Sequence, residues 1–173
     1  LLGQGNLEES IQAYQQAIHL QPKFAEAYYN LGNALRKQGK LEESIKAYQQ
    51  SIRLQPDHVE AHNNLGIALE EQGKLEESIK TYQQAIHLRP DYAVVYGNLG
   101  TVLQKQGKLE ESIKAYQQVI HLRPDYAVAC SNLGATLRKQ GRFEESIKSY
   151  QQAIHLRPDY TDAYSNLIFS QDF

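Results

Sequence analysis

The prolines of this chain recur at one fixed interval, and that interval constrains the fold more than any other sequence feature. Pro22, Pro56, Pro90, Pro124 and Pro158 are spaced 34 residues apart. Self-similarity at such a period indicates a repeat architecture in which each repeat is one supersecondary element. We therefore expect a single array over 1–173, made of a partial repeat 1–24, full repeats 25–58, 59–92, 93–126 and 127–160, and a partial terminal helix 161–173.

Each full repeat carries two apolar stripes with helical periodicity. In repeat 25–58 the first stripe comprises Tyr28, Leu31 and Leu35, and the second begins at Leu41 and ends at Ile52. Spacings of three and four residues place such side chains on one face of a helix. Because one helical hairpin cannot bury its apolar face alone, neighbouring repeats must stack to complete the core. The pattern predicts an all-α fold.

Turn and packing signals divide each repeat. Gly39 separates the two stripes and permits the left-handed backbone that ends a helix. Pro56 ends the second helix, and Asp57 with Glu60 is predicted to cap the next first helix.

Small residues recur inside both helices and predict close approach of the pair: Gly32, Gly66, Gly100 and Gly134, with Ser44, Ser78, Ser112 and Ser146. Ile168 stands where a fifth such glycine is expected, so no ordinary second helix should pack there.

The composition excludes several classes of protein. No run approaches the roughly 20 apolar residues that a membrane span needs. A net charge of −2 lacks the basic footprint of a protein that holds nucleic acid. Cys130, the single cysteine, cannot form an internal disulfide and indicates a reducing compartment. We expect a soluble, cytoplasmic fragment of a longer protein, with no membrane insertion and no nucleic-acid partner.

No pattern in the sequence indicates catalysis, a cofactor or a metal. His19, His87, His121 and His155 occupy equivalent positions near the ends of second helices. Successive repeats lie about 10 Å apart, too far for these rings to share a Zn²⁺ that needs nitrogens at about 2.0–2.1 Å. His62 and Cys130 occupy the position of a packing aromatic, and we expect a hydrogen-bonded histidine near the core and a small buried thiol.

The run LGNALRKQGKLEESIKAYQQSIRLQPD at 31–57 resembles the tetratricopeptide repeat. The family pattern places Leu-Gly, an aromatic and Pro where this chain has Leu31, Gly32, Tyr48 and Pro56, and the match extends over essentially the whole chain. It departs from the pattern in lacking the Trp and in having Ser44 for the usual Ala. The resemblance implies a right-handed α-solenoid (superhelix) whose first helices line a concave groove. It also implies a non-catalytic protein-protein interaction module that binds an extended peptide or a partner helix.

The repeats differ from one another mainly on one face of the first helices, the face that the resemblance assigns to the groove. Three variable positions lie there: Glu26, Glu60, Val94 and Val128 at the first; Tyr29, Asn63, Gly97 and Ser131 at the second; Asn33, Ile67, Thr101 and Ala135 at the third. Charged residues one turn later complete the predicted rim: Lys37, Glu71, Lys105 and Lys139. Variation on this face reflects either contact with a ligand or free drift at positions that touch only solvent.

One position on this face does not vary. It holds Asn30, Asn64, Asn98, Asn132 and Asn166. A carboxamide both donates and accepts hydrogen bonds, so such a series can pair with the backbone of an extended peptide of any sequence. The alternative is structural, with each asparagine bonded to a neighbouring helix or turn and fixing the superhelix. The sequence leaves both alternatives open.

Two narrower resemblances bear on function. Members that grip acidic chaperone tails carry Lys or Arg where this chain has Tyr29, Val94 and Asn98, so the resemblance does not extend to a carboxylate clamp. The asparagine series and the ending AYSNLIFSQDF (163–173) resemble the repeat region of bacterial O-linked N-acetylglucosamine transferases. That likeness implies a substrate-recruiting arm with a catalytic domain beyond Phe173. We also expect weak end-to-end self-association of the truncated array.

Overall fold

The computed structural model describes the backbone of residues 2–171 and the side chains of residues 6–170. The end of the tail 163–173, on which the transferase resemblance partly rests, therefore lies outside the described residues. Within the described part, every regular element is a helix. The helices are α1 (Leu2–Leu20), α2 (Ala25–Lys37), α3 (Leu41–Leu54), α4 (Val59–Glu71), α5 (Leu75–Leu88), α6 (Ala93–Lys105), α7 (Leu109–Leu122), α8 (Ala127–Lys139), α9 (Phe143–Leu156) and α10 (Thr161–Gln171).

The chain divides into two compact bodies, an N-terminal body Leu1–Pro90 and a C-terminal body Asp91–Phe173. In the N-terminal body each helix from α1 to α5 packs on the next, and α2 also touches α4. In the C-terminal body the same holds from α6 to α10, with additional contacts between α6 and α8 and between α8 and α10. Each body is therefore a stack in which alternate helices lie side by side, as helix-turn-helix repeats require.

The core of each body lies between successive hairpins. In the N-terminal body, Ile45 and Tyr48 of α3 pack against Leu65, Ala68 and Leu69 of α4. In the C-terminal body an equivalent cluster joins α7 to α8, made of Ile113, Tyr116, Leu133 and Leu137. Neighbouring repeats thus bury the apolar face that one hairpin leaves open, which confirms the expected stacking.

The glycine that separates the helices of a hairpin adopts the predicted left-handed conformation. Gly39, Gly73, Gly107 and Gly141 have φ between 78° and 81°. The predicted cap of α4 is wrong. The helix begins at Val59 with His58 as N-cap, and no side chain caps it. Asp57 lies one residue too early to reach the free N–H groups of the first turn.

The glycine inside each first helix leaves room for a tyrosine ring rather than only for a neighbouring backbone. A Cβ on Gly32 would lie 2.6 Å from Cε1 of Tyr48, and the Ser44 hydroxyl donates a 2.8 Å hydrogen bond to the Gly32 carbonyl. The other repeats have the same arrangement, in Gly66 with Tyr82, Gly100 with Tyr116 and Gly134 with Tyr150. Ile168, which replaces the fifth glycine, is 60% exposed.

Candidate functional site

In the N-terminal body the scaffold itself engages the central asparagine of the predicted groove. Asn64 Nδ2 donates to the Tyr29 hydroxyl at 3.2 Å and to Asn33 Oδ1 at 2.8 Å. Asn33 Oδ1 also accepts a 2.8 Å hydrogen bond from the Tyr48 hydroxyl, and Asn63 Nδ2 donates to Asn64 Oδ1 at 3.1 Å. These bonds tie α4 to α2 and α3. For Asn64 the structure therefore supports the structural alternative.

Charged groups of the N-terminal body also pair with one another. Arg89 donates to the Glu60 carboxylate at 2.6 Å, and the buried His58 ring lies 4.0 Å from the same carboxylate. Burial, the largest single effect, raises the pKa of Glu60, but the hydrogen bond and charge of Arg89, a backbone hydrogen bond and the nearby His58 together lower it by more. The His58 ring is tilted against the Tyr29 ring, with centroids 4.7 Å apart, so aromatic rings fill this part of the groove face.

The rim residues of the N-terminal body are partly paired as well. The Arg36 guanidinium donates to the Glu71 carboxylate at 2.8 Å. Burial lowers the pKa of Arg36, but Glu71 and Tyr48 raise it by more, so Arg36 remains charged. Asn30 Nδ2 donates to Glu26 Oε1 at 3.2 Å, one turn earlier on the same helix. Of the other predicted positions here, Lys37 is exposed and Ile67 is half-buried.

The C-terminal body has an open cavity on the groove face of its first helices. It has a volume of about 160 Å³ and lies between α6 and α8, with α7 contributing part of the wall. Six residues that the sequence places on the groove face line it, namely Val94, Gly97, Asn98, Thr101, Val128 and Asn132. Arg123 and Tyr126 line it without having been predicted as site residues. The cavity therefore combines apolar walls with two half-buried carboxamides.

Gly97 explains why the cavity is open. The equivalent position in repeat 25–58 holds Tyr29, whose ring packs near Tyr48 with centroids 6.1 Å apart. A Cβ on Gly97 would meet just one side-chain atom nearby, a Val119 methyl at 3.9 Å. The Thr101 hydroxyl, one turn away, donates to the Gly97 carbonyl at 3.1 Å and lies 3.0 Å from the Tyr116 hydroxyl. Glycine in place of tyrosine thus leaves a space, and the hydrogen bonds of Thr101 order the polar groups at its edge.

Two predicted groove residues do not face solvent. Asn63 is 6% exposed and Ser131 is 4% exposed, because both side chains turn toward the interior of their bodies. Little of either side chain is accessible in this structure, and their contact with a ligand stays a prediction. Lys105 and Lys139 are exposed, and Lys139 Nζ donates to Gln104 Oε1 at 3.1 Å. Asn166 is half-buried on α10.

Several side chains outside the groove have the expected packing roles. Cys130 is fully buried beside Ala153 and Ala163, and burial raises the pKa of its thiol. His62 Nε2 lies 3.0 Å from the Pro56 carbonyl oxygen, within hydrogen-bonding distance. In the described range, no group of three or more metal-ligating side chains converges, and no described helix combines the length and apolar composition that crossing a bilayer requires.

Comparison with known proteins identifies the family to which this architecture belongs. Models of the tetratricopeptide repeat match residues 1–39, 29–93 and 91–159, which together span most of the chain. The chain belongs to the tetratricopeptide repeat proteins. Family membership and the observed helix pairs confirm the predicted fold class. No curated protein matches the sequence significantly.

Solved structures with the same fold include MamA and YrrB. A crystal structure of MamA superposes with a TM-score of 0.86 at 25% identity, covering 89% of this chain and 90% of MamA. YrrB, described as a TPR protein with an unusual peptide-binding site, gives a TM-score of 0.82 at 22% identity over 98% of this chain and 85% of its own. MamA from Desulfovibrio magneticus RS-1 gives 0.84 at 19% identity, with 92% and 90% covered.

Sequence reasoning missed Arg123, although a comparison of the repeats carries a signal for it. Repeats 25–58 and 59–92 carry glutamate at their second position, whereas the next two repeats carry Val94 and Val128 there. Repeat 93–126 has Gly97 where repeat 25–58 has Tyr29, and its Arg123 is equivalent to Arg89 of repeat 59–92. Loss of the glutamate with retention of the arginine is visible when these two repeats are aligned, and it marks the cavity.

Proposed function

We propose that this chain is a protein-interaction module that binds an extended peptide on the groove face of its first helices. The observation that carries the proposal is the cavity between α6 and α8, in which Asn98 and Asn132 stand beside apolar walls. Neither carboxamide is fully buried. An amide at this edge can donate to a peptide carbonyl and accept from a peptide N–H.

The two bodies support the proposal in different ways. In the C-terminal body the cavity offers space for a ligand side chain next to the two amides. In the N-terminal body Asn64 is already bonded to Tyr29 and Asn33, so its carboxamide holds the helices together. The fold shared with YrrB, a protein described as having a peptide-binding site, agrees with this assignment.

Selection from a displayed library of randomised nine-residue peptides tests the proposal. Selected peptides are then titrated against the unmodified chain and the double variant Asn98→Ala/Asn132→Ala, with binding followed by fluorescence anisotropy. Two lost hydrogen bonds total about 1–3 kcal/mol, so Kd should rise about five- to 150-fold. The single variant Asn132→Ala should weaken binding with little change in the thermal midpoint, because this carboxamide stands at the cavity edge.

Asn64→Ala is the matched control, since it removes the same group from an equivalent position. It should leave peptide affinity unchanged and lower the stability of the N-terminal body by about 1–3 kcal/mol. A library that yields no binder would refute the proposal. So would a double variant that loses stability while its affinity for the selected peptides stays the same.

A second candidate is the recruiting arm of a larger glycosyltransferase. The motivation is the asparagine series, of which Asn98 and Asn132 line the cavity, together with the similarity of the tail 163–173. This function would use the same groove to hold the substrate polypeptide. The coding sequence after Phe173 decides: a glycosyltransferase domain supports the arm, and a stop codon or an unrelated segment eliminates it.

A further inference from the structure

Equivalent arginines in successive repeats have different partners. Arg89, near the end of repeat 59–92, is paired with Glu60 of the same repeat at 2.6 Å. Arg123 holds the equivalent position in repeat 93–126, but Val94 stands in place of the glutamate. The repeat pattern therefore keeps the cation and removes its internal carboxylate at the position where the cavity opens.

Arg123 is consequently available to an external anion. Its side chain is exposed, and its guanidinium lies 5.2 Å from the centroid of the Tyr126 ring. Among the described side chains, none of the carboxylates forms an ion pair with it. Stacking on tyrosine restrains the planar guanidinium without using its hydrogen-bond donors.

The surroundings of Arg123 are apolar on the side that faces α6. Val94, which lines the cavity, is 49% exposed. Val128 and the open space above Gly97 continue this surface toward α8. An aliphatic side chain of a ligand would remove this apolar surface from water, which favours binding.

From these positions we infer that the cavity selects peptides in which an acidic side chain lies next to an aliphatic residue. The inference rests on the proposed peptide-binding function and specifies its ligand class. The carboxylate would bond to Arg123 as the Glu60 carboxylate bonds to Arg89, and the aliphatic side chain would enter between Val94 and Val128. Asn98 and Asn132 would hold the peptide backbone. The Glu60 pair is made by a side chain, which favours an internal Glu or Asp over a free chain terminus.

Peptides of defined composition test this preference. Four eight-residue Gly-Ser peptides, acetylated and amidated, carry Leu-Glu, Leu-Gln, Leu-Lys or Ser-Glu at their centre, and a fifth ends in Leu with a free carboxylate. Binding is followed by NMR through the side-chain amides of Asn98 and Asn132. We expect the Leu-Glu peptide to bind most tightly, by about three- to tenfold over Leu-Gln and Ser-Glu.

Three variants locate the interaction. Arg123→Gln should weaken binding of the Leu-Glu peptide about three- to tenfold and leave the Leu-Gln peptide unchanged. Arg89→Gln removes the same charge from the paired site and is the matched control, with no expected change in affinity. Val94→Glu should rebuild the internal pair with Arg123 and weaken the Leu-Glu peptide at least as much as Arg123→Gln, at little cost to folding because Val94 is half-exposed.

The outcomes separate this inference from the proposed function. If library peptides bind but these peptides show no preference for Leu-Glu, or if Arg123→Gln has no selective effect, the inference is overturned and the peptide-binding function stands. Tighter binding of the free-carboxylate peptide overturns the assignment to an acidic side chain. If no library peptide binds at all, the proposed function fails and the inference fails with it.

Discussion

Two glycines of the first helices, Gly66 and Gly97, provide a direct test of how these helices pack. A Cβ added at Gly66 would lie 2.5 Å from Cε1 and 2.7 Å from Cδ1 of Tyr82, a ring that is fully buried. A Cβ added at Gly97 would meet only a Val119 methyl, at 3.9 Å. The same substitution to alanine therefore produces a clash at one position and an ordinary contact at the other.

The expected magnitudes follow from these distances. Carbon atoms pack best at about 3.5–4.0 Å, so the Tyr82 ring must move by about 1 Å to accept alanine at position 66. Overpacking of this kind costs about 1–3 kcal/mol, against a gain of about 0.5–1 kcal/mol when Gly in a helix becomes Ala. Gly66→Ala should therefore be destabilising by about 1–2 kcal/mol. Gly97→Ala should be stabilising by about 0.5–1 kcal/mol.

Thermal unfolding followed by circular dichroism measures both effects on one scale. For a chain of this size about 1 kcal/mol shifts the midpoint by about 2–4 °C, so the two variants should move in opposite directions. Combining Gly66→Ala with Tyr82→Leu provides a control, because truncating the ring should remove the clash and make the two changes non-additive. Equal midpoints for the two alanine variants, or full additivity with Tyr82→Leu, would refute the packing argument.

Three further predictions concern single side chains. Glu60→Gln should lower the midpoint at neutral pH, because Arg89 holds the pKa of Glu60 below its ordinary value of 4.5. This carboxylate stabilises the fold at pH values above its unfolded-state pKa, and the stabilisation is lost as the pH falls through the lowered folded-state pKa. A difference in midpoint between the unmodified chain and Glu60→Gln that persisted in strong acid would contradict the pairing. Ser112→Ala should cost about 0.5–1.5 kcal/mol, since the buried hydroxyl donates a 2.7 Å hydrogen bond to an α6 carbonyl. Ser165→Ala removes an exposed hydroxyl that donates to the Thr161 carbonyl at 3.1 Å, and it should be close to neutral in the same denaturation assay. Alkylation of Cys130 by iodoacetamide should be slower in the native chain than in urea by on the order of 100-fold or more, because the thiol must open to solvent first.

Local chemistry was sufficient to predict the helical hairpins. The apolar stripe from Leu41 to Ile52 became α3, and Gly39 adopted φ 79°, because helix periodicity and backbone freedom are properties of a few consecutive residues. The equivalent tyrosines of the second helices were also placed correctly in the core. The cap assigned to Asp57 failed because one residue of shift in a turn changes which side chain reaches the free N–H groups.

The candidate site was predicted only as a face. Periodicity placed Asn63 and Ser131 near the groove, but their burial depends on how α4 and α8 are rotated against their neighbours. The repeat pattern does not determine that rotation. The equivalent asparagines looked identical in sequence. Asn64 is bonded to the preceding first helix, whereas Asn132 lines a cavity, because the residues around them differ between repeats.

The sequence by itself determined that this chain forms stacked helical hairpins of the tetratricopeptide type, since the 34-residue period and its apolar stripes admit no other way to bury the apolar residues. Only the tertiary structure decided which groove residues are engaged. The pair between Glu60 and Arg89 joins positions 29 residues apart, and the cavity at Gly97 arises from a ring that is missing there. Such contacts depend on the spacing between packed helices, a quantity that no local pattern of residues encodes.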